Sequence, residues 1–263
     1  MELGLGDKAA VVLASTAGLG LAVAEALLAE GARVALSGRD PGRLGRELAR
    51  LDALHPGRVF GENIDVEDGD ALEDYLRRVR DQFGAVDILV TNGGGPPPVS
   101  AESVSEAELD KAYLSTLKSA INAVRVVVPW MRAQRFGRIV ALTSSSVRQP
   151  VAGLVLSNTM RAGLTGYMKT LAGEVAAYDV LVNTVCTGMF ATDRLAELIV
   201  ARAKRSGRSV EAERAALVAD IPVGRIGDPA EFGAFVAFLC SPRNSFITGS
   251  ALPIDGGANR GLL

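Results

Sequence analysis

The stretch that decides the fold is AAVVLASTAGLG, residues 9–20. An apolar run of strand length leads into a glycine-bearing turn, and the turn leads into the start of a helix. This order predicts the first unit of a parallel sheet that carries helices on both faces. Such a turn brings backbone N–H groups and a helix N-terminus towards a phosphate-bearing ligand, although close helix packing alone would also use its glycines.

The same alternation continues along all 263 residues. We predict strands at 9–13, 33–37, 59–64, 88–91, 139–143, 181–186 and 251–254. We predict helices at 19–30, 41–54, 68–83, 105–135, 157–178 and 229–239. The strands are continuously apolar, which is typical of strands buried on both faces. The pattern predicts one α/β domain over residues 1–263, a Rossmann-like doubly wound parallel sheet of about seven strands, because no linker or repeat divides the chain.

Composition excludes several classes of function. The formal net charge is −2, which does not suit a nucleic-acid partner. One histidine, His55, and two cysteines, Cys186 and Cys240, do not make a zinc site or a Ser-His-Asp triad, so we expect no metal. The apolar stretch 9–24 is broken by polar residues and glycines and is shorter than a membrane span, so we expect no membrane partner. The few cysteines fit a cytoplasmic protein.

Five motifs resemble those of the short-chain dehydrogenase/reductase family over about residues 7–257. They are the glycines Gly18 and Gly20, Asp65-Val66, Asn92-Gly93-Gly94, residues 246–249 (FITG) and residues 255–257 (DGG). Ala14 stands where the family has the first glycine of its turn. We expect its methyl group to be tolerated if φ stays negative there.

The resemblance implies hydride transfer between a nicotinamide dinucleotide and a substrate carbon. It also implies a set of residues that contact the cofactor. This set is Ser15, Thr16, Gly18, Leu19, Gly20, Arg39, Asp65, Val66, Asn92, Gly93, Gly94, Arg161 and Gly188.

The residues after the second predicted strand favour NADP(H) over NAD(H). About 20 positions beyond the glycines, an acidic residue would bind a ribose 2′-hydroxyl, but Gly38 and Arg39 stand there. A small residue followed by arginine leaves room and a cationic partner for a 2′-phosphate. Asp40 is the competing signal; because Pro41 follows it, we interpret Asp40 as a helix N-cap.

The resemblance also locates four catalytic positions, and three of them are changed. Ser144 falls on the family's serine, Ser157 on its tyrosine, Arg161 on its lysine and Thr116 on its asparagine. Arg161 keeps a positive charge for the ribose, whereas an aliphatic hydroxyl at position 157 is a far weaker acid than a phenol. Tyr113, one helical turn from Thr116, is a candidate replacement acid, with a core or interface aromatic as the alternative.

Two functional hypotheses follow. The first is an oxidoreductase acting on a carbonyl/alcohol pair, closest in pattern to the 3-oxoacyl thioester reductases, in which Ser157 or a water relays the proton. The second is a catalytically silent dinucleotide-binding protein that acts as a sensor or subunit.

The remaining expectations concern the substrate side. Residues 192–221 predict one or two amphipathic helices, which in the family form a lid. The basic residues at 202–208 are either a solvated face or a receptor for an acidic carrier or a phosphate-bearing thioester. Apolar residues 154–156 favour an apolar carbonyl substrate. The resemblance implies a homotetramer or homodimer packed through the long helices.

Overall fold

The computed structural model describes residues 2–261, and this part of the chain contains a sheet of seven strands. The strands are β1 Ala9–Val12, β2 Arg33–Gly38, β3 Val59–Asn63, β4 Ile88–Thr91, β5 Gly137–Leu142, β6 Val180–Thr187 and β7 Ala251–Ile254. All neighbours pair in parallel, in the order β3-β2-β1-β4-β5-β6-β7. The predicted doubly wound parallel sheet is therefore confirmed.

Helices cover both faces of this sheet. They are α1 Gly18–Ala29, α2 Pro41–Leu54, α3 Gly69–Phe83, α4 Glu106–Ala112, α5 Ser119–Gln134, α6 Val155–Val175, α7 Asp193–Ser206, α8 Val210–Ala219 and α9 Pro229–Cys240. The predicted helix at 157–178 begins two residues earlier than expected, and its end tightens into a 3-10 turn at Ala176–Tyr178.

The strand β1 shows why the apolar runs are uninterrupted. Ala9 and Val11 pack towards α3, α5 and α6, whereas Ala10 and Val12 pack towards α1, α2 and α9. All four side chains are fully buried. A central parallel strand has no solvent face, so every position selects an apolar residue.

The sheet order has a switch point between β1 and β4. From β1 the chain moves outward through β2 and β3, then returns to β4 on the other side of β1. The loops after β1 and β4 therefore diverge, which opens a crevice at the carboxyl ends of these strands. This crevice is where the candidate site lies.

The predicted helix at 105–135 is present as continuous helical backbone from Glu106 to Gln134, but it contains a π-helical segment that the sequence does not indicate. The chain forms α4, then a π-helical segment Tyr113–Lys118, and then α5. In the π-helical segment each turn holds one more residue than in an α-helix, which frees carbonyl groups from their usual partners. The Ser119 hydroxyl donates to the Ser115 carbonyl oxygen at 2.9 Å. Hydrophobic periodicity does not reveal such an insertion, because apolar residues continue on both sides of it.

Two helices, α7 and α8, occupy the region predicted as one or two. Thr192 caps α7 by accepting from the Leu195 N–H at 3.3 Å. Gly207 ends α7 with a φ of 71°, a left-handed conformation that suits glycine. Ser209 then caps α8 by accepting from the Ala212 N–H at 3.1 Å.

Candidate active site

A cleft of about 690 Å³ opens at the carboxyl ends of the central strands. Ten of the sixteen residues singled out by the sequence line it. They are Gly18, Leu19, Arg39, Asn92, Gly93, Gly94, Ser144, Ser157, Arg161 and Gly188. The fold thus brings residues from six separate loops and helices to one surface. The other six, Ser15, Thr16, Gly20, Asp65, Val66 and Thr116, lie outside the cleft lining.

The turn after β1 contains an alanine in the left-handed conformation. Ala14 has a φ of 47°, so the condition of a negative φ, under which we expect its methyl group to be tolerated, is not met. The physical reason is that both of its peptide groups have fixed partners. The Ala14 N–H donates to Ser37 Oγ at 3.1 Å, and its carbonyl accepts from Asn92 Nδ2 at 3.0 Å. These bonds tie the turn to β2 and β4 at a cost of about 1–2 kcal/mol in backbone conformation.

The N-terminus of α1 faces the cleft without a side-chain cap. Its N-cap residue, Ala17, offers no oxygen, and no acidic residue occupies the first turn. The first N–H groups and the positive end of the helix dipole are therefore available to an anion. Gly20 allows α1 to pack closely against the turn and Asn92, since a Cβ there would lie 2.8 Å from both the Ala14 oxygen and Asn92 Nδ2.

Ser15 and Thr16 serve the packing of the same turn. Ser15 is fully buried; its hydroxyl donates to the Val12 carbonyl at 2.7 Å, and its N–H donates to the Ser37 carbonyl at 2.9 Å. Thr16 lies against Gly38, where a Cβ would be 2.6 Å from the threonine methyl group. The Ser15 hydroxyl therefore points into the protein rather than into the cleft.

Asp65 and Val66 follow β3 at the edge of the sheet. The Asp65 carboxylate accepts from the Glu67 N–H at 3.0 Å and is exposed. Val66 packs against the core cluster under α3 and α5. Neither residue lines the cleft.

Two arginines lie at the end of the cleft nearest β2. Arg39 and Arg43 both line it, and Arg39 forms no ion pair with any carboxylate of residues 2–261. Asp40 caps α2, accepting from the Arg43 N–H at 2.9 Å, as the sequence predicts. This hydrogen bond lowers the pKa of Asp40. Sequence reasoning missed Arg43, although its position one turn after Arg39 is a usable signal.

Ser144, Ser157 and Arg161 line the middle of the cleft. Ser144 follows β5, and its hydroxyl oxygen accepts from the Ser146 N–H at 3.1 Å. Ser157 and Arg161 lie one turn apart on α6, and Arg161 Nη1 donates to the Leu142 carbonyl oxygen at 2.9 Å. Loss of surrounding water, together with the smaller effect of the nearby charge of Arg194, lowers the pKa of Arg161 to about 10.

Thr116 lines a separate, smaller cavity behind the cleft. This cavity of about 10 Å³ also touches Thr91, Asn92 and Arg161, and its size suits one bound water. The hydroxyls of Thr91 and Thr116 are buried without a hydrogen-bond partner in the described protein. Arg161 lines both spaces, so it lies between the cleft and the two threonines.

The loop after β4 rests directly on the π-helical segment. A Cβ at Gly93 would lie 2.7 Å from the Ser115 carbonyl oxygen, a distance that real side chains do not adopt. The backbone of Gly93 is therefore in direct contact with the backbone of Ser115, the residue before Thr116.

None of the four tyrosines lines the cleft. Tyr113 is 42% exposed at the start of the π-helical segment, and Tyr75 is fully buried with its hydroxyl donating to the Leu36 carbonyl. Tyr167, on α6, and Tyr178, in the 3-10 turn that follows α6, both pack against the core. The geometry therefore offers no phenol as a replacement acid.

Arg194, on the first turn of α7, is a cleft residue that sequence reasoning missed. Its Nη2 donates to the Pro96 carbonyl oxygen at 3.4 Å, and its Nη1 lies 3.7 Å from the Glu197 carboxylate. No local pattern in the sequence indicates that this surface arginine meets Arg161 across the cleft. On the same wall Gly188 approaches β7 so closely that a Cβ would lie 2.5 Å from the Asp255 Cα.

Within residues 2–261, no helix is long and apolar enough to cross a bilayer. The same part of the chain holds no group of three or more His, Cys, Asp or Glu side chains arranged to bind a metal ion.

Comparisons with known proteins show which family and which solved structures the chain is similar to. A family model described as enoyl-(acyl carrier protein) reductase matches residues 13–259. The chain is 32% identical over 260 residues to the 3-oxoacyl-(acyl carrier protein) reductase of Vibrio cholerae, covering 97% of this chain and 98% of that protein. It is also 32% identical over 263 residues to the D-beta-hydroxybutyrate dehydrogenase of Cupriavidus necator, covering 96% and 98%.

A solved structure shares the whole architecture. L-sorbose reductase from Gluconobacter frateurii, complexed with NADPH and L-sorbose, superimposes with a TM-score of 0.94 at 30% identity. The match covers 100% of both chains.

Proposed function

Because the chain belongs to the short-chain dehydrogenase/reductase family, we propose that it is an NADP(H)-dependent oxidoreductase acting on a carbonyl or alcohol substrate. The observation that carries this proposal is the single cleft in which the uncapped N-terminus of α1 meets Ser144, Ser157 and Arg161. When bound, the dinucleotide supplies or accepts the hydride. The protein residues bind it, orient the substrate and manage the proton.

The residues present fit the dinucleotide. The first turn of α1, with Gly18 and Leu19, suits the pyrophosphate, because its N–H groups have no side-chain acceptor. Asn92 ties this turn to β4 through Ala14. The proposed contacts in the cleft lining also include Gly93, Gly94, Arg161 and Gly188. The contacts of Ser15, Thr16, Gly20, Asp65 and Val66, which lie outside the lining, stay predictions from the sequence.

Arg39 and Arg43 support NADP(H) over NAD(H). A 2′-phosphate between them would neutralise two guanidinium groups, whereas the Asp40 carboxylate is engaged in capping α2. The test compares dissociation constants for NADPH and NADH in wild type, in Arg39→Ala and in Arg46→Ala, which lies outside the cleft. We expect Arg39→Ala to weaken NADPH binding about tenfold or more and to affect NADH little. Equal loss for both cofactors would refute the preference.

The proposed catalytic group is Ser144, Ser157, Arg161 and Thr116. Ser144 would donate to the substrate oxygen, and Arg161 would contact the nicotinamide ribose with guanidinium hydrogens not used by Leu142. Ser157 replaces the family's tyrosine, so the proton would come from a water beside its hydroxyl. A missing general acid slows turnover by about 10²–10⁴-fold rather than abolishing hydride transfer.

One observation favours a second candidate, a catalytically silent dinucleotide-binding protein. No tyrosine lines the cleft, so the usual phenol has no replacement there. Measuring NADPH oxidation with a panel of aldehydes and ketones separates the two. Carbonyl-dependent oxidation that falls in Ser144→Ala supports the enzyme. Tight NADPH binding without turnover, unchanged in Ser144→Ala, supports the silent protein.

The helices α7 and α8 would act as the lid of this single domain. Leu195, Leu198 and Ala201 of α7 line the cleft beside Val151 and Leu154. This apolar surface supports a substrate with an apolar portion. We propose a homodimer or homotetramer as the assembly, which light scattering on the purified protein tests directly.

A further inference from the structure

The cleft is strongly cationic although the chain as a whole is slightly acidic. Six arginines line it against two carboxylates. Arg39 and Arg43 lie at the β2 end, but Arg161 and Arg194 lie in the middle, away from the site that a 2′-phosphate would use. These two central arginines have no role in recognising the adenosine end of a dinucleotide.

Arg161 is a partly buried cation without a carboxylate partner among residues 2–261. Its one hydrogen bond from Nη1 reaches a carbonyl oxygen, which carries no full charge. Enclosed charges in proteins are normally paired, because an unpaired charge away from water is costly. Burial and the neighbouring Arg194 both lower the pKa of Arg161, because both disfavour its positive charge.

Arg194 approaches the same space from the other wall. A Cβ built on Gly95 would lie 4.0 Å from Arg161 Nη2 and 3.9 Å from Arg194 Nη2. The point beside Gly95 is therefore reached by both guanidinium groups. The Glu197 carboxylate, 3.7 Å from Arg194, is 70% exposed and so contributes little to holding it.

We propose that Arg161 and Arg194 together bind a carboxylate of the substrate beside Gly95, so that the substrate is a small oxo acid or hydroxy acid. The inference rests on the proposed oxidoreductase function. Two guanidinium groups suit one carboxylate, since each provides parallel N–H donors at about 2.7–2.9 Å. The apolar wall formed by Val151 and Leu154 would receive the hydrocarbon end of the same molecule.

The test measures binding first, without turnover. Acetoacetate and 3-oxohexanoate, each against its methyl ester, are titrated into the complex of the protein with NADP⁺ by calorimetry. We expect each acid to bind about tenfold or more tightly than its ester, since the ester lacks the charge. We expect Arg194→Gln to remove most of this ratio and Arg194→Lys to restore part of it. The matched control Arg214→Gln, exposed on α8 and outside the cleft, should keep the ratio.

Several outcomes overturn the inference. The inference fails if the methyl esters bind as tightly as the acids. It also fails if neither acid binds measurably. A loss of NADPH affinity in Arg194→Gln that equals its loss of acid affinity would identify a cofactor phosphate as the anion instead.

Turnover with NADPH separates this inference from the proposed function. Reduction of esters or neutral ketones without acid preference refutes only the carboxylate site. Selective binding of the acids without any NADPH oxidation supports the carboxylate site and refutes the oxidoreductase.

Discussion

The left-handed alanine in the turn after β1 leads to a stability prediction with a defined sign. Replacing Ala14 by glycine removes the steric cost of its φ of 47°, about 1–2 kcal/mol. Glycine also makes the unfolded chain more flexible, which opposes the gain by about 0.4–1 kcal/mol. From the midpoints of these two ranges, the folded state is more stable by about 0.8 kcal/mol. For a chain of this length that raises the Tm by about 1–4 °C.

The assay is thermal unfolding without cofactor, at one protein concentration, with two matched variants. Ala49→Gly makes the same change at an exposed position inside α2, where glycine costs about 1 kcal/mol, so its Tm should fall. Gly20→Ala adds a methyl group 2.8 Å from the Ala14 oxygen, so its Tm should fall further than that of Ala49→Gly. The reasoning is refuted if Ala14→Gly lowers the Tm as much as Ala49→Gly does.

Three further predictions concern charge and chemistry. At pH 7 without ligand, Arg161→Met should raise the free energy of unfolding by about 1–2 kcal/mol, and with it the Tm. The reason is that burial, which helps to lower the Arg161 pKa to about 10, disfavours the charged form of this side chain. The gain should shrink as pH rises from 10 towards 12.5, where the folded wild type loses this proton before the unfolded chain does; a pH-independent difference would contradict it. Ser157→Tyr with Arg161→Lys should increase NADPH-dependent reduction of a neutral ketone by about 10²-fold or more, and no gain would mean that the cleft does not orient a phenol for catalysis. Hydrogen bonds from Arg225 and from the Asp228 N–H together lower the pKa of Glu231 to about 2, so the ionised Glu231 stabilises the fold above pH 4.5, and this stabilisation is lost as pH falls through 2. In Arg225→Gln, the Glu231 pKa measured by NMR titration should move part of the way back towards 4.5.

The fold was readable from local patterns because each pattern has a local cause. Continuous apolar runs indicated strands with no solvent face. Asp40 before Pro41 indicated the start of a helix, which the structure confirms. The π-helical segment escaped prediction because an added residue leaves the neighbouring apolar periodicity intact. The conformation of Ala14 escaped because it depends on Ser37 and Asn92, which are distant in sequence.

The candidate site was only partly readable for the same reason. Strand-end motifs located Asn92 and Ser144, since strand ends meet at one edge of a parallel sheet. The convergence of Arg161 and Arg194 depends on how α7 folds across the cleft, and no spacing encodes that. The two partnerless threonines, Thr91 and Thr116, likewise meet only through the tertiary structure.

The contact between Gly93 and the Ser115 carbonyl constrains how this site can be rebuilt. A methyl group at position 93 would press on the π-helical segment. Replacing this loop by one with a larger residue at position 93 would therefore displace the backbone beside Thr116, even if every catalytic side chain were restored. Gly93 and the π-helical segment therefore have to be exchanged together in a chimera, because a larger residue at position 93 would clash with the segment as it stands in this protein.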